Sequence, residues 1–451
     1  MGLGLHGGGS ASAEFFARAG AQVTVTDLRD KDTLQPSIDA LSEYKIRYVL
    51  GQHDIDDFSS ADIVIKNPAV RPDSPYLTAS ARVETDISIF LSMNRRPVIA
   101  VTGSKGKSTI VSALYHVLKS VHPDTDLGGN ITVSPLTFLN EKKNAGGSPV
   151  ILELSSWQLA DIQGRNLLKP CAAAITNIMH DHQDRYNSMA DYAADKAVIF
   201  EAQTKDDILI LNSDSDFTPA FAAAAPSSIF YVTVNGVNTN GASIARDGSG
   251  IWTENGISTR ILGAVNTLKG SHNRQNLLTA AALLYKYGID SELIIKGLAE
   301  FPGIAHRLEF IREVRGLHWY NDSAATIPEA AAAAVESFNG LVHLITGGTD
   351  KNLDFGVLAD AARRAESISL LAGTGSDKIM RLFNTGNIAY DGPFSSLEDA
   401  VSNVCRRSQS SAGTKAAVPQ TAVLSPGCAS FGMFKNEFDR GDKFKALVNS
   451  L

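Results

Sequence analysis

Short apolar, β-branched runs alternate along this chain with longer stretches whose apolar positions recur at helical spacing. The first run, Val23 to Thr26, follows the glycine-rich opening GLGLHGGGSASAEFFARAGA and ends at Asp27. A second, Ala61 to Lys66, ends at Asn67-Pro68. A glycine loop, a helix and then a strand closed by an acid is the grammar of a nucleotide-binding βαβ unit. The strand that should precede the loop is missing, because the chain opens at Met1-Gly2. The first strand is therefore expected to be truncated or absent.

A new unit starts at Arg95-Arg96-Pro97 with the buried-strand run Val98 to Gly103. Further strands are expected at Val150 to Leu154, Ala172 to Ile178 and Ile208 to Asn212, with helices at Lys107 to Lys119, Met189 to Phe200 and Asn273 to Gly288. Near Phe301-Pro302-Gly303 the pattern resets. Two strands joined at Arg315-Gly316 are followed by an alanine-rich helix from Pro328 to Phe338. Strands at Val342 to Thr346, near Ile368 to Leu371 and at Thr421 to Leu424 complete the pattern. Strands alternating with helices predict largely parallel sheets, with ligands at the strands' C-terminal ends. The fold class is α/β, in three domains. These are a Rossmann-like domain over 1–94, a P-loop ATPase-type parallel sheet over 95–303 and a Rossmann-like domain over 304–451.

Composition narrows the class. A length of 451 residues suits about three domains, and 44% hydrophobic with 20% charged residues is a globular balance. No apolar run reaches the ~20 residues of a spanning helix, and no basic-then-apolar leader opens the chain, so neither membrane nor secretion is expected. The net charge of −7, without a block of Lys or Arg, argues against nucleic acid as partner. Cys171, Cys405 and Cys428 form no CxxC pair. A disulfide framework or a cysteine zinc site is not expected, and a reducing, cytoplasmic compartment is.

The sharpest local chemistry is Thr102-Gly103-Ser104-Lys105-Gly106-Lys107-Ser108-Thr109, between a strand and a helix. Glycines let the backbone wrap a phosphate, and the helix N-terminus presents free N–H groups carrying about half a positive charge. Lys107 would reach the outer phosphates and the Ser108 hydroxyl a Mg²⁺ ion. The spacing departs from GxxxxGK, since Val101 stands where the first glycine should be. Glu153, at the exit of the next buried strand, is placed to hold Mg²⁺ or is an ordinary polar strand end. His180-Asp181-His182-Gln183-Asp184 could ligate metal, act as a base or be plain loop polarity. Lys196 alone reads as a solvated helix lysine, and Asn130 as a turn residue.

Taken together, TGSKGKST, LGGN, LELSSWQL, NIMHDHQDRY, YAADKAVIF, GSHNRQN, AHRLE, NDSAAT, GGTDKN and SPGCASFGMFKNEFDRGDKF occur in the order seen in the Mur ligases. The resemblance covers nearly the whole chain and is strongest to the D-glutamate-adding member. It implies an ATP-dependent ligase of peptidoglycan precursor synthesis, joining D-glutamate to UDP-N-acetylmuramoyl-L-alanine through an acyl phosphate, as a cytoplasmic monomer with ATP and Mg²⁺. By motif position, Gly103, Ser104, Lys105, Gly106, Lys107, Ser108 and Thr109 would hold the phosphates. Asn273, Asn276, His306, Arg307 and Asp322 would surround the rest of the nucleotide. Ser108, Glu153, His182 and Lys196, the last as a carbamate, would hold metal; Lys107, His182 and Lys196 would be catalytic. Gly4, Leu5, His6, Asp27, Arg29 and Asn130 match the UDP-substrate site, and Thr326, Lys351, Ser430 and Phe431 the D-glutamate pocket.

Three departures accompany the match. The first strand is lost, Ala324 replaces the usual lysine of NDSAAT, and Glu437 stands where an aromatic often lines the amino-acid pocket, with Phe438 one residue later. Either a neighbour such as Lys105 replaces the missing cation or turnover is altered. The alternatives are another Mur-type or folate polyglutamate-type ligase, a nucleotide-binding protein with impaired turnover, and a nicotinamide-dependent dehydrogenase. The last leaves TGSKGKST and HDHQD without a role.

Overall fold

A computed structural model describes residues 1–4, 7–131, 133–140, 144, 146–179, 186, 188–264, 268, 270–350, 353–412 and 418–451. The chain divides into two units, Met1–Val265 with His272–Ala299, and Asn266–Ser271 with Glu300–Leu451.

The first unit opens with two small parallel pairs: β1 (Val23–Asp27) with β2 (Ile46–Leu50), and β3 (Val64–Ile65) with β4 (Val83–Glu84). Met1 and Gly2 run between the pairs. The Met1 ammonium donates to Ile65 O at 2.9 Å, Asn67 N to Met1 O at 3.0 Å, and Gly2 N to Thr26 O at 2.8 Å. Met1 and Gly2 thus tie the two pairs together through main-chain hydrogen bonds. The run expected from Ala61 to Lys66 forms ladder only at Val64–Ile65. β2 was not anticipated, since Ile46–Leu50 carries Arg47 and Tyr48 among its apolar residues.

A nine-stranded sheet follows in the order β13-β12-β11-β10-β9-β8-β5-β7-β6. Its strands are β5 (Val98–Thr102), β6 (Asp126–Gly129), β7 (Val150–Glu153), β8 (Ala172–Ile175), β9 (Ile208–Asn212), β10 (Ser228–Thr233), β11 (Gly241–Ile244), β12 (Gly250–Glu254) and β13 (Ile257–Leu262). Every residue of β5, β7 and β8 is buried. Strands covered on both faces read as continuous apolar runs, which made them visible in the sequence. The four strands β10 to β13 were missed. They are short, half polar and partly antiparallel. Asn255 and Gly256, between β12 and β13, have φ of 52° and 78°, the left-handed pair that a two-residue hairpin needs.

The second unit is a six-stranded sheet in the order β14-β15-β19-β16-β17-β18. These are β14 (Glu309–Val314), β15 (Leu317–Asn321), β16 (Leu341–Thr346), β17 (Ser367–Leu371), β18 (Asp391–Phe394) and β19 (Gln420–Leu424). Alternate residues feed two cores: Leu344 and Val423 pack with Phe355 and Phe383, whereas Ile345 and Leu424 pack with Val404 and Phe444. That is the period-2 signature of a sheet covered on both faces. The strands joined at Arg315-Gly316 form as expected, with φ of 55° and 74° at the turn. No helix among the described residues is long and apolar enough to cross a membrane.

Candidate active site

β5 lies between β7 and β8, so the chain leaves the sheet in different directions on either side of it. In an open α/β sheet such a point, at the strands' C-terminal ends, is where ligands bind. The loop leaving β5 enters the helix Lys107–Val121 with Gly106 as its N-cap at φ 90°, and no side chain satisfies the helix's first N–H groups. Those groups and the helix dipole are left to face an anion.

The loop is shaped by contacts that only glycine permits. A Cβ on Gly103 would run into the Thr176 hydroxyl, and one on Gly106 into the Asn276 amide oxygen. Thr176 Oγ1 donates to Lys105 O at 2.6 Å. Asn177 O accepts Ser104 N at 2.8 Å, and Asn177 Oδ1 accepts Lys105 N at 3.0 Å. Ser104 Oγ lies 3.2 Å from Tyr192 OH and accepts Met179 N at 2.9 Å. The exit of β8 therefore clamps the loop leaving β5. Asn276 approaches Gly106 from the helix Ser271–Tyr287, which also carries the buried Asn273. Thr176, Asn177 and Tyr192 were not singled out as site residues; Thr176 and Asn177 offered only their place beyond a strand end, and Tyr192 is one aromatic within a helix.

Lys107 folds back over the loop, its ammonium donating to Gly103 O at 2.8 Å and Ser104 O at 3.1 Å. Lys105 is exposed. Lys196 corrects the reading of a solvated helix lysine. It is 1% exposed on the helix Met189–Ala197, its Nζ donating to Gly103 O at 3.1 Å and lying 4.4 Å from the Tyr192 ring centre. Asn130 is likewise more than a turn residue. Its Nδ2 donates to Glu153 Oε1 at 2.8 Å, and its N–H donates to Glu153 O at 2.8 Å.

Glu153 is 2% exposed, and its Oε2 has no hydrogen-bond partner. A buried carboxylate oxygen without a partner is costly, and a hard divalent cation meets that demand with oxygen ligands. The residues present therefore fit Mg²⁺, with Ser108 on the first turn of the phosphate-loop helix as the second oxygen donor. Among the described residues no three His, Cys, Asp or Glu side chains gather as a metal cluster. His182 lies outside the described residues, as do Leu5, His6 and Lys351.

At the N-terminal end of the unit, Asp27 closes β1 and ties down the glycine turn. Its Oδ2 accepts Gly4 N at 3.1 Å and its Oδ1 accepts Arg29 N at 3.0 Å. The acid that closed the strand in the sequence pattern is thus a backbone anchor for two of the expected UDP-side residues.

In the second unit, His306 and Leu308 take left-handed φ of 63° and 45°, which turns the chain so that Leu308 N meets Asp322 Oδ1 at 3.0 Å. Ser425 Oγ donates to Asp322 Oδ2 at 2.6 Å. Burial pushes the Asp322 carboxyl up to about 7, against the smaller pull of these hydrogen bonds and Arg307. Asn321 Nδ2 bridges His306 Nδ1 at 2.9 Å, Glu309 Oε2 at 3.2 Å and Gly441 O at 3.2 Å. Arg307 is exposed and Thr326 half-buried. Phe438 meets the His306 ring edge-on at 5.8 Å, one residue after Glu437.

Ser430 is buried with its Oγ unpartnered, and Phe431 beside it is 56% exposed. Arg440 holds this segment to the Asp322 loop from below. Its guanidinium donates to Ser323 Oγ at 2.9 Å, Ser323 O at 2.8 Å and Cys428 O at 3.3 Å. Burial lowers its pKa to about 10. Arg440 and Asn321 were also missed, because nothing in a lone Arg or Asn announces a buried network. At Ala324, where the motif usually has a lysine, the main-chain N–H donates to His306 O at 2.9 Å.

Comparison with known proteins agrees with this geometry. Residues 101–284 match the Mur ligase middle domain, and residues 1–89 match the Mur ligase MurD-like N-terminal domain. The chain is 40% identical to a UDP-N-acetylmuramoylalanine–D-glutamate ligase of Borreliella burgdorferi, covering 100% of this chain and 97% of that protein. It is 38% identical to the enzyme of the same name from Treponema pallidum, over 99% of this chain and 96% of that one. A crystal structure of MurF from Acinetobacter baumannii superposes with a TM-score of 0.62 at 16% identity, covering 96% of this chain and 92% of that one, which supports the fold. A switch-point phosphate loop, a buried carboxylate at the next strand end and full-length similarity converge: the chain belongs to the Mur ligase family, with an N-terminal domain of the MurD-like kind.

Proposed function

We propose that the protein is an ATP-dependent ligase that adds D-glutamate to UDP-N-acetylmuramoyl-L-alanine in peptidoglycan precursor synthesis, acting as a cytoplasmic monomer. Its full-length relatives carry that name. The observation that carries the chemistry is the phosphate loop backed by Thr176, Asn177 and Asn276 beside the unpartnered Glu153 Oε2. We read residues 1–94 as the UDP-substrate domain, 95–303 as the ATP domain and 304–451 as the amino-acid domain.

In this reading the alanyl carboxylate oxygen attacks the γ-phosphorus of ATP, the bond to the β-phosphate oxygen breaks, and ADP leaves. The D-glutamate nitrogen then attacks the acyl carbon, phosphate departs, and the amine's proton passes to a base, the role assigned to His182. Phosphoryl transfer needs positioning and charge neutralisation more than covalent help. Gly103, Ser104, Lys105, Gly106 and Thr109 line the phosphates, with the uncapped N–H groups of the helix's first turn turned toward them, while Lys107 swings from its two carbonyl contacts to the transferring phosphoryl group. Asn273 and Asn276 face the nucleotide from their helix; His306, Arg307 and Asp322 are its second-unit residues.

Ser108, Glu153, His182 and Lys196 would hold Mg²⁺, which when bound neutralises charge on the phosphates. Lys196 suits this as a carbamate: CO₂ adds to the neutral amine with loss of a proton, replacing a buried ammonium by an anion beside a cation. Gly4, Leu5, His6, Asp27, Arg29 and Asn130 take the UDP-sugar. Thr326, Lys351, Ser430 and Phe431 take D-glutamate, with the unpartnered Ser430 hydroxyl a hydrogen-bond partner for a carboxylate.

The test is phosphate release from protein given ATP, Mg²⁺ and UDP-N-acetylmuramoyl-L-alanine while amino acids are screened singly. D-Glutamate alone should respond. Release with another amino acid, and none with D-glutamate, would discard the substrate assignment. Failure of ¹⁸O to pass from the substrate carboxylate into phosphate would discard the acyl phosphate.

A further inference from the structure

The helix Asp86–Met93 begins with a buried acid that its own end does not need. Thr85 and Ser88 already cap it reciprocally: Thr85 Oγ1 accepts Ser88 N at 3.1 Å, and Ser88 Oγ accepts Thr85 N at 2.8 Å. Asp86 Oδ1 accepts Ile87 N at 2.9 Å, and its Oδ2 reaches out of the helix to accept Ser134 Oγ at 2.7 Å. Burying a carboxyl costs free energy, and burial pushes this one's pKa up from its ordinary value against the pull of both bonds. Its long-range partner, 48 residues on, is what the acid is placed for.

Ser134 closes the turn that follows β6. That turn begins at Gly129, whose φ of 99° and missing Cβ let it lie against Glu153 O. Gly129 N donates to Val133 O at 2.8 Å across the turn. The short helix Pro135–Phe138 lies so close to Gly128 that a Cβ there would meet the Phe138 ring. Leu136 shares one core with Ile87, Phe90, Leu152 and Leu154. Apolar packing of that kind holds the turn near the sheet without fixing its direction. The Asp86 bond is directional and comes from outside the sheet. Inside the turn sits Asn130, the residue that holds Glu153 Oε1.

The far side of Glu153 is held from the same stretch of chain. Beyond Glu153, Ser155 caps the helix Ser156–Ala160, and Asp161 and Arg165 follow it. Lys66 pairs with Asp161 at 2.7 Å. Arg165 donates to Glu84 Oε1 at 2.8 Å, and Glu84 Oε2 accepts Ser88 Oγ at 2.6 Å. Residues 66–88 thus grip the segments that leave both β6 and β7.

We propose that Asp86 and Ser134 are positioning residues for the metal site, holding the turn after β6 so that Asn130 keeps the Glu153 carboxylate aimed at the cation. The inference rests on the reading of Glu153 as a Mg²⁺ ligand. Neither residue is a ligand itself; both act through Asn130. A shift of about 1 Å at Asn130 takes its hydrogen bond to Glu153 out of range, and the freed carboxylate then turns about its own side-chain bonds. Loss of the partners that orient a metal ligand changes metal affinity by about 10–100-fold.

The experiment titrates Mn²⁺, a hard cation that takes the same oxygen ligands, into the full chain and reads bound and free ion by spin resonance. Ser134→Ala removes the hydroxyl that Asp86 holds. Ser134→Cys keeps the volume with a weaker donor and carries the same test at less risk to folding. Ser88→Ala is the matched control: it takes a likewise buried hydroxyl from Glu84, on the same helix, without touching the turn after β6. Glu153→Gln marks the binding that belongs to the site. Ser134→Ala should weaken the Glu153-dependent binding by about tenfold, with Ser134→Cys weakened in the same direction. Phosphate release should need correspondingly more Mg²⁺ and reach a near wild-type rate at saturation. Ser88→Ala should melt lower but bind Mn²⁺ as wild type does. Equal affinity in wild type and both Ser134 variants would overturn the proposal. So would equal weakening in Ser88→Ala, since general loosening would then explain the loss. Wild type and Glu153→Gln binding Mn²⁺ alike would instead remove the metal reading, and the proposal with it.

Discussion

Asn130 and Glu153 share one hydrogen bond of 2.8 Å, from Asn130 Nδ2 to Glu153 Oε1, which fixes the carboxylate and leaves its other oxygen buried without a partner. Strand pairing imposes the relationship. Gly129 at the end of β6 lies opposite Glu153 at the end of β7, so the next residue's side chain meets the carboxylate. A carboxylate held on one side and unsatisfied on the other is prepared for a cation.

Replacing Glu153 by Gln should therefore cost activity without costing the fold. Phosphate release is expected to fall by about 10²–10³, the scale of losing one electrostatic stabiliser of a transition state. Tm should stay within about 2 °C or rise, because an unpaired buried charge has been removed. Wild-type release at saturating Mg²⁺ would sink the metal assignment.

Lys107→Ala should reduce phosphate release by at least about 10³, while circular dichroism and Tm stay near wild type. The side chain packs on carbonyls of its own loop, so its loss removes charge and not core. A variant that turns over normally would remove the phosphate-loop role.

Lys196→Ala should be inactive and should recover part of its rate when formate or acetate is supplied, since a small carboxylate can occupy the space of the carbamate. The buried position beside Gly103 O and the Tyr192 ring defines that space. No recovery with either anion, in a variant that still melts cooperatively, would reject the carbamate.

Asp322 predicts a pH dependence. Burial raises its carboxyl from the ordinary 3.8 to about 7. The folded state therefore binds the proton more tightly than the unfolded chain. The stabilisation is complete below about pH 4 and is lost as pH rises through about 7, amounting at most to roughly 4 kcal/mol. Without nucleotide, the stability of Asp322→Asn should fall less than that of wild type between pH 5 and pH 8. Parallel Tm curves for the two proteins would contradict the shift.

Lys66 and Asp161 form an ion pair of 2.7 Å at which both side chains are nearly buried, linking the end of β3 to the end of the helix Ser156–Ala160. Lys66→Ala removes the buried cation facing Asp161 and should destabilise by about 3–5 kcal/mol. Changing both, Lys66→Met with Asp161→Leu, should recover most of the loss. A double variant as unstable as the single one would show that the pair's charge is not what holds these segments together.

Much of this protein was legible in one dimension. Strands buried on both faces, such as Val98–Thr102 and Val150–Glu153, announce themselves as apolar runs because no residue in them meets water. The phosphate loop was legible because a glycine turn, a lysine and a helix start are contiguous. β10 to β13 were not, since they are short, mix polar with apolar residues and take their pairing from their neighbours. Neither was the burial of Lys196, whose helix has an ordinary polar sequence and becomes interior only where it packs against the exit of β5. The sequence by itself determined which backbone could wrap a phosphate and which family motifs the chain carries. Only tertiary structure decided that Glu153 would keep an oxygen unsatisfied and that Thr176 and Asn177 would clamp the loop. Those properties belong to pairs of distant residues, and burial and hydrogen-bond satisfaction exist only once the pairs have met.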